Sequence, residues 1–137
     1  MKIITISEYY TPKLCADNPS SLFIYGDNLE KTGKGGQACI RHCSNTHGIP
    51  TKRKPSSGDD AYFSDDDFEA NKEAILNEME SVWNYARANY GAIIFPKEGL
   101  GTGLAELKER APKTWGFLCA KLTEMFGFDN EKGEIVE

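Results

Sequence analysis

The sequence has no long hydrophobic run. Nothing in it approaches the ~20 consecutive apolar residues of a membrane-spanning helix, and the N-terminal MKIITISEYY has neither the apolar core nor the small-residue cleavage site of a secretory signal. No membrane partner is expected, and the expected location is the cytoplasm. A surplus of positive charge is also missing. Sixteen Lys and Arg stand against 21 Asp and Glu, for a net charge of −5, whereas nonspecific nucleic-acid binding needs many cations for the phosphates. Cysteine and histidine are scarce as well. The four cysteines, Cys15, Cys39, Cys43 and Cys119, are too scattered for a disulfide framework. The Cys39, His42, Cys43, His47 cluster lacks the second, distant ligand pair of a compact zinc site. Asp59, Asp60, Asp65, Asp66 and Asp67 lack the spacing of a calcium loop. No metal and no cofactor is expected, and the thiols read as buried apolar groups.

What is present suits one α/β domain. A chain of 137 residues can bury roughly two-thirds of its unfolded surface, and 39% hydrophobic residues argue for order through most of it. The domain is expected over residues 1–128, with 129–137 a loosely ordered polar tail. The densest stretch is Ser21 to Ile40. Leu22, Phe23, Ile24 and Tyr25 form a β-prone run, Gly26, Gly33, Gly35 and Gly36 break the periodicity, and Gln37–Cys43 resumes at helical spacing. That order is strand, glycine loop, helix. The helix start would supply unpaired N–H groups and a positive dipole end to an anion such as phosphate; a glycine turn without a ligand is the plain alternative.

The remaining elements follow from pattern. Lys2–Ser7 reads as a first strand at an edge and Glu8–Ser20 as a loop. Ser44–His47 is turn-like, and Gly48–Thr51 is a short extended segment, since the residue before Pro50 is pushed toward β. Lys52, Arg53 and Lys54 form a basic loop beside the acidic Asp59–Glu69 segment, either a solvated stretch or a clamp for a diphosphate. Ser64 or a following aspartate caps a long helix from Asp66 to Asn89, with Phe68, Ile75, Leu76, Met79, Val82, Trp83 and Ala86 on one face. Ala92–Phe95 is a strand covered on both faces, stopped by Pro96 and followed by Gly99, Gly101 and Gly103. Leu104–Arg110 makes a short helical turn. Pro112 opens a final helix that Gly127 ends.

The same device thus occurs twice, after Tyr25 and after Phe95. In open α/β sheets ligands sit beyond the strand carboxyl ends where the strand order switches, so two such loops can face one ligand. Asp27 and Asn28 would hydrogen-bond a ribose or a base at the mouth. Neither GxxxxGK[ST] nor GxGxxG fits.

Asn28 followed by Gly33, Gly35, Gly36, Ala38 and Ile40 resembles the first ligand loop of macro domains, and Phe95-Pro96 followed by Gly101-Thr102-Gly103 resembles their second, phosphate-binding loop. Gly26-Asp27-Asn28 stands where those domains carry Asn-Ala-Asn. The chain is also similar to a group of small phage and bacterial proteins with GDNL…GGQA, GIPTK and GTGLAEL blocks. The resemblance implies a macro-domain-like fold, a single-domain three-layer mixed sheet flanked by helices. It implies an ADP-ribose-like or NAD-derived ligand, with nucleic acid a partner only in ADP-ribosylated form, and the host cytoplasm if the protein is phage-encoded. Ligand contacts are expected from Gly26, Asp27 and Asn28; from Gly33, Lys34, Gly35, Gly36 and Gln37; from Lys52; and from Gly99, Leu100, Gly101, Thr102, Gly103 and Leu104.

Three functions follow as expectations. One is a domain that binds, and hydrolyses, an ADP-ribosyl nucleotide, with Asp27 beside Asn28 as the catalytic pair and Glu106 the second choice for activating water. Another is a phage-type, anti-defence protein that sequesters a nucleotide signal without cutting it. The last is a protein-interaction adaptor using the acidic segment. Oligomeric state leaves no signal in the sequence.

Overall fold

The computed structural model describes residues 1–136. Its main sheet has the order β1-β4-β2-β3, built from β1 (Lys2–Ile6), β2 (Ser21–Asn28), β3 (Thr46–Lys52) and β4 (Ala92–Pro96). Every pairing within it is parallel, so the sheet is not mixed. Crossovers joining its successive strands account for this, since antiparallel neighbours need only hairpins. Among the described residues, antiparallel pairing is confined to a small hairpin, β5 (Phe128–Asp129) with β6 (Glu134–Ile135), and a Lys52–Tyr62 bridge.

Period-two alternation sends neighbouring side chains to opposite faces. Leu22, Ile24, Ile93 and Phe95 enter the larger core with α2 (Phe68–Asn89) and α4 (Pro112–Phe126). Phe23, Tyr25 and Ile94 face the other way, onto Tyr10, Cys15, Ala38 and Ile40. There α1 (Pro12–Asp17) and a 3₁₀ turn at Gly36–Ile40 cover the sheet. The Tyr10 hydroxyl donates to the Ile24 carbonyl at 2.7 Å and fastens that cover to β2. Burial pushes the Cys15 thiol up to about 12, which keeps it protonated among its apolar neighbours. No helix is long and apolar enough to cross a membrane among the described residues.

Several local expectations are corrected. The helix expected over Gln37–Cys43 is only the five-residue 3₁₀ turn. The Glu8–Ser20 loop contains α1, which Thr11 caps by accepting from the Leu14 N–H at 3.1 Å and Pro12 opens. β2 continues through Gly26 to Asn28 because β3, longer than its apolar part suggested, supplies partners as far as Lys52. The segment after Thr102 divides into a 3₁₀ turn at Gly103–Ala105 and α3 (Leu107–Arg110). Over its described residues the tail is tied down. Asn130 is 1% exposed; its Oδ1 accepts from the Leu100 N–H at 2.8 Å and its Nδ2 donates to the Leu100 carbonyl at 2.9 Å.

The N-terminus of α4 shows how distant residues complete an element. Ala111 at its cap has no side-chain acceptor. Asp65 takes over, accepting from the Lys113 N–H at 2.8 Å, the Thr114 N–H at 3.0 Å and the Thr114 hydroxyl at 2.9 Å. Burial works against the Asp65 charge, but these hydrogen bonds outweigh it and hold the carboxyl below its usual value. A group whose folded pKa is depressed stabilises the fold above its unfolded pKa and loses that contribution as pH falls through the folded one. Asp65→Ala is therefore expected to cost about 1 kcal/mol at pH 7. The gap from wild type should close as acid protonates the carboxyl, which urea titrations at pH 7 and pH 3 will measure.

Candidate functional site

β2 and β4 are adjacent and parallel, and their continuations part. The chain leaving β2 turns onto the Tyr10 face through Ala38 and Ile40, while the chain leaving β4 enters the opposite core through Leu107 and Ala111. Connections departing to opposite faces open a crevice at the strand carboxyl ends. A cavity of about 260 Å³ occupies it, near the lower end of the roughly 300–1,000 Å³ of small-molecule sites.

Most of the expected residues meet there. Gly26, Asp27 and Asn28 line the cavity with Gly33, Gly35, Gly36 and Gln37, with Lys52, and with Gly101, Thr102, Gly103 and Leu104. Lys34, Gly99 and Leu100 are outside the lining. Leu100 is fully buried in the core, and a side chain on Gly99 would strike the Asn130 carbonyl. Thr32, Ala38, Thr51, Pro55, Glu98 and Ala105 complete the wall. Among these Glu98 is the residue whose charge matters, and its position next to the second glycine loop was the signal available.

Arg41 holds the first loop in shape. Its Nη2 donates to Asp27 Oδ1 at 2.6 Å and its Nη1 to Oδ2 at 3.0 Å; Nε and Nη2 also reach the Gly33 and Thr32 carbonyls at 2.9 and 3.0 Å. Hydrogen bonding to Asp27 pushes the Arg41 guanidinium up from its already high value. Gly48 makes room on β3, because a Cβ there would sit 2.5 Å from Asp27 Oδ2. Asp27 is thus an anchor with both oxygens engaged, and not the free base expected of it. Burial, and then the Asp27 charge, push the neighbouring Tyr25 hydroxyl up to about 12. Glu106, the second choice, pairs with Arg110 at 3.2 Å outside the lining.

Asn28 is arranged differently. Its Nδ2 donates to the Thr32 carbonyl at 2.8 Å, and a carbonyl can only accept, so the amide orientation is fixed. The Oδ1 left over is buried and has no partner. An unpaired buried acceptor costs about 1–3 kcal/mol, and because the oxygen is closed to solvent a donor from the cavity reaches it only with a small shift of the side chain.

The second loop wraps tightly. Gly101 has φ +81°, and a Cβ there would meet Leu107 at 3.0 Å, so any side chain would be strained and crowded. The loop's hydrogen bonds use the N–H groups of Gly99, Leu100, Ala105, Glu106 and Leu107. Among the described residues, those of Gly101, Thr102, Gly103 and Leu104 are left for water or a ligand. Gln37 ties this loop to β2: the Gly26 N–H donates to its Oε1 at 2.8 Å, and its Nε2 donates to Glu98 Oε1 at 2.7 Å and to the Gly99 carbonyl at 2.9 Å. Across the mouth Leu104, 64% exposed, reaches Gly35 and Gly36, with its Cδ1 3.4 Å from where a Cβ on either would lie. Lys52 donates to the Ser56 carbonyl at 2.7 Å, its ammonium over the Tyr62 ring, and burial pulls its pKa down.

A five-residue 3₁₀ turn has no useful axial dipole, so attraction for an anion falls to individual N–H groups and Lys52. Among the described residues, no cluster of three or more His, Cys, Asp or Glu could hold a metal ion. Neither the curated proteins nor the solved structures contain a match to the chain. Residues 5–121, which include both glycine loops and all the cavity-lining residues, match a family of unknown function, DUF7831, and the chain belongs to that family.

Proposed function

We propose that the crevice binds an ADP-ribose-like or NAD-derived nucleotide, with a ribose hydroxyl on Asn28 and the diphosphate between the two glycine loops. The observation that carries this reading is the meeting of both glycine loops on one cavity, whose lining residues include Asn28, with its partnerless Oδ1, and Gly101, Thr102, Gly103 and Leu104, whose backbone N–H groups have no protein acceptor among the described residues. A ribose hydroxyl supplies the missing donor. The N–H groups of Gly101, Thr102, Gly103 and Leu104 supply donors for phosphate oxygens, and Lys52 adds one positive charge. The resemblance of Asn28 and Gly101-Thr102-Gly103 to macro-domain ligand loops supports the same assignment. A cavity of about 260 Å³ suits the ribose and diphosphate, with the base at the rim.

Titration calorimetry with ADP-ribose and with NAD tests this. Saturable heat is expected with at least one of them, and Asn28→Ala should weaken it roughly tenfold, the worth of one hydrogen bond. Absence of binding to either compound would overturn the proposal.

A further inference from the structure

Three carboxylates stand at or beside the crevice, and their partners tell them apart. Asp27 is engaged by Arg41, and Glu106 by Arg110. Glu98 is different. It lines the cavity, and among the described residues no lysine, arginine or histidine lies within ion-pair distance of it. Gln37 holds its Oε1 and cannot be turned round, because the Gly26 N–H only donates and the Gly99 carbonyl only accepts. One oxygen of a positioned carboxylate is thereby left for water or ligand.

Strand order sets the charge pattern around it. β4 and β3 flank β2 on opposite sides, so Glu98, just after β4, and Lys52, ending β3, give the cavity opposite charges on opposite flanks. A ligand charged only at its diphosphate gains at the Lys52 flank and loses at the Glu98 flank. A ligand that also carries a cation gains at both. NAD is such a ligand, with a pyridinium ring joined to its second ribose.

Resting on the nucleotide-binding reading, we infer that the site takes NAD and hydrolyses its nicotinamide–ribose bond, with Glu98 as the catalytic base. The water oxygen bonds to the ribose C1 as the C–N bond breaks. The bonding pair passes to the ring nitrogen, nicotinamide leaves neutral, and the proton lost by water goes to Glu98 and then to solvent. The leaving group takes up no proton, so one carboxylate suffices. Cleavage of an ADP-ribosyl bond to a hydroxyl or amide would need a second, acidic group. The other titratable residues of the lining are committed elsewhere, Lys52 to Ser56 and Tyr62, and Asp27 to Arg41.

The test is nicotinamide release from NAD by wild type and by Glu98→Gln, alongside calorimetry with ADP-ribose. Gln retains an acceptor for the Gln37 amide, so the site should keep its shape. Wild type is expected to release nicotinamide, and the variant to lose at least about 100-fold in rate while its ADP-ribose affinity changes less than about threefold. Wild type that binds ADP-ribose yet releases no nicotinamide overturns this inference and leaves the binding reading standing. A variant whose turnover stays within threefold of wild type, or whose loss lies wholly in affinity, overturns it as well. Failure of wild type to bind ADP-ribose or NAD removes both readings.

Discussion

An Arg41→Ala variant is expected to lose about 3–5 kcal/mol of stability, the cost of breaking a buried ion pair from one side. For 137 residues that is a fall of roughly 10–17 °C in Tm. The size follows from what is left behind. The Asp27 side chain is 5% exposed and that of Arg41 11%, so water cannot easily replace the guanidinium. The Asp27 carboxylate would keep only the Asn28 N–H, at 2.7 Å on Oδ1. The Thr32 and Gly33 carbonyls would lose a donor too, leaving the loop tied to β2 through the Asn28 amide on the Thr32 carbonyl. Arg41→Lys should recover little, because one ammonium cannot span the acceptors that a planar fork covers. Adding Asp27→Asn to Arg41→Ala should restore part of the loss, since no uncompensated charge remains. Thermal and urea unfolding of the three variants measure this, and a cost below 1 kcal/mol for Arg41→Ala would mean that the pair does not hold the loop.

Gly35→Glu is expected to weaken ligand binding on the order of 100-fold without disturbing the fold. Gly35 has φ −75° and ψ 145°, extended backbone open to any residue. A Cβ there meets only the Leu104 Cδ1, at 3.4 Å, the end of an exposed and adjustable side chain. Stability should therefore stay close to wild type. The new carboxylate, however, stands in the mouth between the two loops. Two unit charges 4 Å apart at an effective dielectric of 20 repel by about 4 kcal/mol, and after screening a loss on the order of 100-fold in affinity remains. Gly35→Gln separates charge from bulk: it should lose several-fold less than Glu. Equal affinities for wild type and Gly35→Glu, measured by calorimetry, would mean that no phosphate lies between the loops.

Much of this organisation is legible in the sequence because it depends on local pattern. The apolar runs Leu22–Tyr25 and Ala92–Phe95 are strands, α2 and α4 follow their stripes, and Gly127 ends α4 at φ +68°. The glycines after both strands mark the cavity. What escapes is set by residues far apart in the chain. Asp65 caps a helix that begins near residue 112, and no spacing rule links the two. Arg41 lies in the stretch Gln37–Cys43 that reads as helix, and nothing in that spacing links its fork to the carboxylate and carbonyls of the preceding strand and loop. Gly26, Asp27 and Asn28 read as loop by propensity, yet pairing with Ile49, Pro50 and Lys52 keeps them in the strand. Asp129–Glu134 is polar enough to suggest a free tail, but the Asn130 amide matches both backbone groups of Leu100. Glu98 is marked in the sequence only by its place beside the second glycine loop; the hold of Gln37 on it, across 61 residues of chain, is not legible there.

The position of β4 governs when the protein can fold. β1 and β2 do not touch as a strand pair; β4 separates them, joining Lys2 to Ala92 on one side and Leu22 to Ile93 on the other. Closing the chain between Leu22 and Ile93 costs on the order of 4 kcal/mol in loop entropy before any contact rewards it, which favours slow, highly cooperative assembly. During synthesis, a nascent chain that has emerged only through α2 has both strands that will flank β4 but no sheet to join them, and it exposes the β1 and β2 edges together. The crevice comes into being only when β4 inserts. Chaperone dependence and aggregation of truncated chains should therefore peak just before residue 92 leaves the ribosome, and binding competence should appear abruptly with completion of the fold.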